Sequence, residues 1–201
     1  MNAADFSALL LLATASSFTP GPNTTLSTAL AANHGLARAL RFVCAVPVGW
    51  GLMYTACAFG VGALVLALPW LRWAILIGGV GYLLWLAARL ASSGAMSQVN
   101  RSRLSVGFLQ GIVLQFVNIK AWMLALAVAA GFVAGRPDAT LRFAQSLPVM
   151  LAFGFFSNLA YALIGSLLRG WLARGRRLLV FNRIMALALV ATAGWIAWSA
   201  R

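Results

Sequence analysis

The chain has 201 residues, 63% of them hydrophobic and only 8% charged, with 15 basic side chains against two acidic ones and a mean hydropathy of +0.93. A soluble domain carries roughly 25% charged residues, so too little polar surface exists here to cover a water-soluble globule, and a soluble enzyme, a disulfide scaffold or a disordered tail is excluded. Fourteen of the basic residues are arginines placed between long apolar runs, which makes lipid headgroups rather than nucleic acid the anionic partner.

A membrane-crossing helix takes about 20 apolar residues, and six such stretches follow one another at 6–30, 42–68, 70–90, 104–134, 147–168 and 178–198. The fold class this predicts is an all-α integral membrane protein of one domain over 1–201. The first stretch carries no Lys or Arg ahead of it and holds a Pro-Gly-Pro deep inside, so it reads as a mature span rather than a signal peptide. Pro69, Trp70 and Trp73 mark a tight turn between spans two and three, and Trp171, Trp195 and Trp198 lie near span ends, where amphipathic rings favour the headgroup layer.

Orientation follows from the arginines of the connections. Ten of them (Arg38, Arg41, Arg89, Arg101, Arg103, Arg169, Arg174, Arg176, Arg177 and Arg183) fall on one side of the six predicted spans. Arg72, Arg136, Arg142 and Arg201 fall on the other, with both acids, Asp5 and Asp138. The arginine-rich side is expected to be cytoplasmic, which puts both termini outside. The longest polar connection, 91–103, divides the chain into halves 1–90 and 104–201 of three spans each. An odd number of spans makes the second half enter the membrane in the opposite sense, so related halves form an inverted 3+3 repeat, an architecture of many secondary transporters.

The first span of each half carries an irregularity. In span one, Pro20-Gly21-Pro22 removes two backbone donors near mid-membrane, and Asn23, Thr24 and Thr25 follow where side-chain oxygens can cap a restarting helix. Freed backbone groups are tolerated at that depth only against protein or a water-filled cavity. Span four, too long for one straight crossing and so tilted, broken or partly outside, holds Gln115 and Asn118 on one predicted helical face and then Lys120, with no acid nearby in sequence. A lysine at the bilayer centre costs about 2.5–3.5 kcal/mol on insertion scales and marks a functional candidate; a shifted span would instead let it snorkel to an interface.

Other features carry less. Asn158 and Tyr161 share a face of span five and suit either a cavity wall or an interhelical hydrogen bond. Gly107 and Gly111, like Gly49, Gly51, Gly60, Gly62, Gly78, Gly79 and Gly81, read as helix-packing positions. His34 is expected to be solvated in or beside a loop. Cys44 and Cys57 lack metal or redox spacing and read as packed thiols.

At the two interrupted spans the chain resembles the LysE/RhtB family of bacterial amino-acid exporters. The resemblance rests on Pro20-Gly21-Pro22-Asn23 in the first span and on Gly107-Phe108-Leu109-Gln110-Gly111 leading to Asn118-Ile119-Lys120-Ala121 at the opening of the second half. It extends over essentially the whole chain. Ile119 stands where the family pattern has proline, so the second break is expected to be softer. The string 114–120 is similar to the branch that exports cysteine and O-acetylserine. The resemblance implies efflux across the bacterial inner membrane driven by the proton motive force, with protons as coupling ion.

The charge inventory narrows the substrate. No Asp or Glu falls within a predicted span, whereas a site for a cationic side chain would need a carboxylate. Lys120 suits a substrate carboxylate, assisted by the positive end of a half-helix beginning near Asn23, and carbonyls around Pro20 and Gly21 would receive the α-ammonium group. The expected cargo is therefore a small neutral amino acid or derivative, cysteine/O-acetylserine-like or homoserine/threonine-like, bound by Pro20, Gly21, Pro22, Asn23, Thr24, Gln115, Asn118, Lys120, Asn158 and Tyr161, without cofactor or metal. A P-loop is absent, so ATP hydrolysis within the chain is excluded. One histidine, two separated cysteines and two peripheral aspartates cannot supply an enzyme's acid–base or metal cluster. A passive channel or structural membrane subunit, or an exporter of another small solute, is the alternative. Glycine-rich faces on spans two and three permit a homodimer without requiring one.

Overall fold

The computed structural model describes residues 1–92 and 106–199, and every regular element among them is a helix. The expected divide at 91–103 lies almost wholly outside the described residues, as do Arg101, Arg103 and Arg201.

The prolines and glycines set the boundaries. Helix α1 (Ala3–Phe18) starts on Asn2, whose Oδ1 accepts the Asp5 N–H at 2.7 Å. It stops where Thr19 and Gly21, each followed by a proline, take extended conformations. Helix α2 (Pro22–His34) then opens with Pro22 at the first helical position, where a missing N–H costs no hydrogen bond. Gly35 at φ 85° turns the chain into α3 (Leu36–Ala58). The predicted span 42–68 proves to be two helices: Gly60 at φ 106° separates α3 from a short α4 (Val61–Ala67). Pro69 opens α5 (Pro69–Ser92) as expected.

The second half begins with α6 (Phe108–Val117) and α7 (Ile119–Val128), the latter running on into a π-helical turn over Ala129–Val133. The two are bent by 71° at Asn118, so substituting isoleucine for the expected proline has not softened the break into a continuous helix. Helix α8 (Ala139–Leu172) has 34 residues, far more than the predicted 147–168 span. At 1.5 Å per residue it reaches about 51 Å, beyond the hydrocarbon layer. Helix α9 (Arg177–Ser199) completes the chain. By length and composition α3, α5, α8 and α9 can each cross a membrane, and the bent pair α6–α7 makes a fifth span; α1 is apolar but only 16 residues long.

Packing inverts the soluble pattern. Large apolar side chains such as Leu11, Leu109 and Leu167 point outward, whereas α2, the most polar helix, is enclosed: Thr24, Thr25, Ser27, Thr28 and Asn33 are all buried. Helix α2 lies mainly against α8, α3 against α6 and α8, and α5 against α9. Close backbone approach makes this possible. A Cβ on Gly165 of α8 would stand 2.2 Å from the Thr28 carbonyl oxygen of α2, and one on Gly49 of α3 would stand 2.7 Å from the Ile112 oxygen of α6. Gly51, Gly62, Gly79 and Gly111 also meet neighbours, as expected of packing positions; Gly60, Gly78 and Gly81 face open space, and Gly107 is near only its own Gln110. Cys57 is buried, but Cys44 is exposed on the outer face of α3, not packed.

Two apolar clusters form the core. One gathers Leu26, Phe42, Leu86 and Leu189; the other gathers Leu9, Trp50, Met53, Tyr54, Trp122 and Met150. Beyond the second, Arg142 of α8 binds Asp5 at 2.8 Å and Asp138 at 2.6 Å, engaging both acids of the chain. Hydrogen bonds from its guanidinium hold both carboxyls below the usual carboxylate range.

Candidate functional site

The break between α1 and α2 exposes the last carbonyls of α1, which no longer have helical donors. Side chains from the second half replace them. Lys120, second residue of α7, donates from Nζ to the Thr19 carbonyl at 2.7 Å, and the Tyr161 hydroxyl donates to the Phe18 carbonyl at 3.0 Å. Lys120 crosses directly over Gly21, where a Cβ would lie 3.2 Å from both Cδ and Nζ. The lysine side chain thus spans the first break, with its ammonium held at the end of α1. At the start of α2, the Gly21 N–H donates to the Thr24 hydroxyl at 2.9 Å, the capping expected of that segment.

The break between α6 and α7 is built by tertiary contacts in place of proline. Asn118 is extended, closing α6 and capping α7 through its carbonyl, which accepts the N–H groups of Ala121 and Trp122 at 2.9 and 3.1 Å. The Trp122 indole N–H reaches back across the bend to the Phe116 carbonyl at 2.7 Å, and the Trp50 indole N–H of α3 holds the Ala121 carbonyl at 3.2 Å. Gln115 and Asn118 therefore do not share a helical face: the helix ends between them. Gln115 is fully buried in a reciprocal amide pair with Asn23 of α2, at 2.8 and 3.2 Å. Asn118 is 4% exposed, and its side-chain Oδ1 has no hydrogen-bond partner.

Between the two breaks lies a cavity of about 70 Å³. The first turns of α2 and α7 form part of its wall, joined by Ser16 and Ser17 of α1 and Thr19 just beyond it, by Val46, Pro47 and Trp50 of α3, and by Gly154, Ser157 and Asn158 of α8. Among the residues lining it, Lys120 carries the one charge. Two helix N-termini and an ammonium converge there with no acidic side chain in the wall, so the field favours an anionic group. The orphaned Asn118 Oδ1 and the carbonyls closing α1 supply acceptors beside it. A site with both polarities, sized for about five water-like groups, fits a small dipolar molecule. No group of three or more potential metal ligands exists among the described residues.

Residues 14–199 match the family described as LysE type translocator. The chain belongs to the LysE family. It is 33% identical over 174 residues to the cysteine/O-acetylserine efflux protein of Salmonella typhimurium LT2, covering 86% of this chain and 87% of that protein. The protein of the same name from Klebsiella pneumoniae is 33% identical over 189 residues, 92% of each chain, and that of Escherichia coli K12 is 30% identical over 178 residues, 86% and 87%. No solved structure matches the chain.

Of the site residues expected in this LysE-family chain, Gly21, Pro22, Asn23, Thr24, Asn118, Lys120 and Asn158 line the cavity. Asn158 is also an interhelical link: its Oδ1 accepts the Ser27 hydroxyl at 2.9 Å and its Nδ2 donates to the Gly154 carbonyl at 2.8 Å. Pro20, Gln115 and Tyr161 stand outside the wall, shaping the break or supporting Asn23. His34 ends α2 beside the turn at Gly35, as expected, but is half-buried rather than fully solvated. Sequence reasoning missed Pro47 and Trp50. A proline inside the apolar run of span two, followed three residues later by a tryptophan far from either predicted interface, was the available signal.

Proposed function

We propose that this LysE-type translocator exports small neutral amino acids or their derivatives, of the kind named for its cysteine/O-acetylserine efflux relatives. The observation that carries this reading is Lys120 at a cavity bounded by two helix starts and no acidic side chain. The substrate carboxylate takes up donors that Lys120 has left, since an ammonium offers three and one is on Thr19. The substrate ammonium is received by Asn118 Oδ1 and by the Thr19 carbonyl once Lys120 turns to the carboxylate. A zwitterion thereby inserts into a hydrogen bond that already exists. A cationic side chain would find no carboxylate, which disfavours lysine and arginine as cargo.

In this reading α1–α2 counts as one interrupted span, giving six spans as an inverted 3+3 repeat in the bacterial inner membrane, with the arginine-rich ends cytoplasmic and both termini outside. Efflux is coupled to the proton motive force. The test is saturable efflux of cysteine and O-acetylserine from vesicles by Lys120→Gln and Lys120→Ala variants whose insertion has been verified. A charge-assisted hydrogen bond of about 1.5–3 kcal/mol corresponds to a roughly 10- to 150-fold loss of kcat/KM. Wild-type efflux by either inserted variant overturns the role of Lys120. Efflux unaffected by an uncoupler removes the proton coupling and leaves the carboxylate site standing.

A further inference from the structure

A second cavity, about 340 Å³, lies on the opposite side of the α6–α7 break. Leu76 of α5, Ile119, Trp122 and Leu126 of α7 and Ile196 of α9 form its apolar wall, while the exposed Arg72, Trp73 and Trp195 stand around it. It exists because α5 packs along α9 but scarcely touches α7, leaving a cleft between them. An engineered apolar cavity of about 150 Å³ stays dry and takes up benzene; this one is more than twice as large. The Trp122 indole N–H is already spent on the Phe116 carbonyl, so the deep wall has little to offer water. An apolar occupant is required.

Arg72 says what else that occupant carries. The chain has two acidic side chains, and both are engaged by Arg142. Neither serves Arg72, which sits on the first turn of α5 between Trp70 and Trp73, residues suited to headgroup depth. An anion joined to an apolar chain satisfies both features. We propose that the cleft holds one anionic phospholipid, its phosphate on Arg72 beside Trp73 and Trp195 and an acyl chain between α5, α7 and α9. Its acyl chain then touches Ile119 and Trp122, neighbours of the Asn118 and Lys120 that face the other cavity. The lipid and the polar site share the broken turn as a common wall.

The test needs no transport measurement. The full chain is reconstituted in nanodiscs of mixed phosphatidylglycerol and phosphatidylethanolamine, extracted in mild detergent, and weighed with its retained lipid by native mass spectrometry. One retained phospholipid per chain is expected, with phosphatidylglycerol favoured about fivefold, the effect of one arginine near a headgroup. Arg72→Gln is expected to keep the lipid and lose the preference. Met123→Trp, which adds bulk at an exposed position lining the cleft, is expected to expel it. An unchanged preference in Arg72→Gln, or unchanged lipid stoichiometry in Met123→Trp, overturns the proposal. So does a lipid-free dimer that cross-links through a cysteine placed at position 123, since a second copy then fills the cleft.

Discussion

Two adjacent glycines of α5 offer a controlled test of how the α6–α7 break is held. A Cβ on Gly79 would lie 2.2 Å from the Val117 carbonyl oxygen, while one on Gly78 would meet nothing within 4 Å. In Gly79→Ala the new methyl must gain about 0.8 Å to reach a 3.0 Å contact. The obstacle is backbone, which cannot swing aside as a flexible side chain would. Overpacking of this kind costs about 1–3 kcal/mol, against a helix-propensity gain of about 0.5–1 kcal/mol that Gly78→Ala receives without opposition. At roughly 2–4 °C per kcal/mol for a chain of this size, thermal unfolding in detergent followed by tryptophan fluorescence should drop by several degrees for Gly79→Ala and hold or rise slightly for Gly78→Ala. Because Val117 precedes Asn118, Gly79→Ala should also weaken substrate binding, and Gly78→Ala should not. Equal melting temperatures for the two variants would refute the close approach of α5 to the break.

Asn118→Ala removes an acceptor that has no partner in the protein, so its melting temperature should stay near wild type while zwitterion affinity falls roughly 10- to 150-fold, measured by calorimetric titration. Tyr161→Phe deletes the donor to the exposed Phe18 carbonyl and should lower stability by about 0.5–1.5 kcal/mol, a melting-temperature drop of a few degrees at most, with a smaller effect on KM than Lys120→Gln. The Asp5 and Asp138 carboxyls are both held low by Arg142, so their contribution is complete above the ordinary carboxylate range and is lost as pH falls through their depressed values. Melting temperature is thus expected to be flat from about pH 5 to pH 8 and to fall below about pH 4; Asp5→Asn should shrink that acid limb.

Much of the fold was legible because bilayer-scale apolar runs and prolines are local signals. Pro20, Pro22 and Pro69 mark boundaries the structure keeps, whereas the turn at Gly35 went unread and Gly60, expected as a packing position, splits a stretch expected to be one helix. The α6–α7 break was legible in the excess length of span four, which suits a tilted, a broken or a protruding helix alike, and otherwise only through resemblance. Isoleucine at 119 carries no breaking signal, and the bend depends on Trp122, Trp50 and Gly79, partners that sequence spacing cannot assign. The excess length of α8 was hidden for a related reason: its first turns, from Ala139 to Ser146, pack polar Arg142 and Ser146 against Asp5 and Tyr54 and so read as loop.

The hydrogen bonds at the first break also constrain how the two halves can move. The carbonyls that end α1 are satisfied by Lys120 and Tyr161, both from the second half, whereas the Phe116 carbonyl at the second break is satisfied by Trp122 on its own span. Motion of α1 relative to α7 and α8 therefore breaks the bonds at Thr19 and Phe18 but leaves the second bend intact. Both carbonyls belong to exposed residues, so the cost is the net worth of the bonds, about 0.5–1.5 kcal/mol for the tyrosine and about 1.5–3 kcal/mol for the charged lysine, and in the empty protein that motion is opposed. A zwitterion whose ammonium occupies the Thr19 carbonyl while its carboxylate holds Lys120 keeps both groups satisfied as they separate. On the proposed reading the same lysine both recognises the cargo and resists movement without it, and Lys120→Ala should release the first break even as it weakens binding. Raised accessibility of a cysteine placed at Thr19, in the absence of any substrate, is the result expected of that variant.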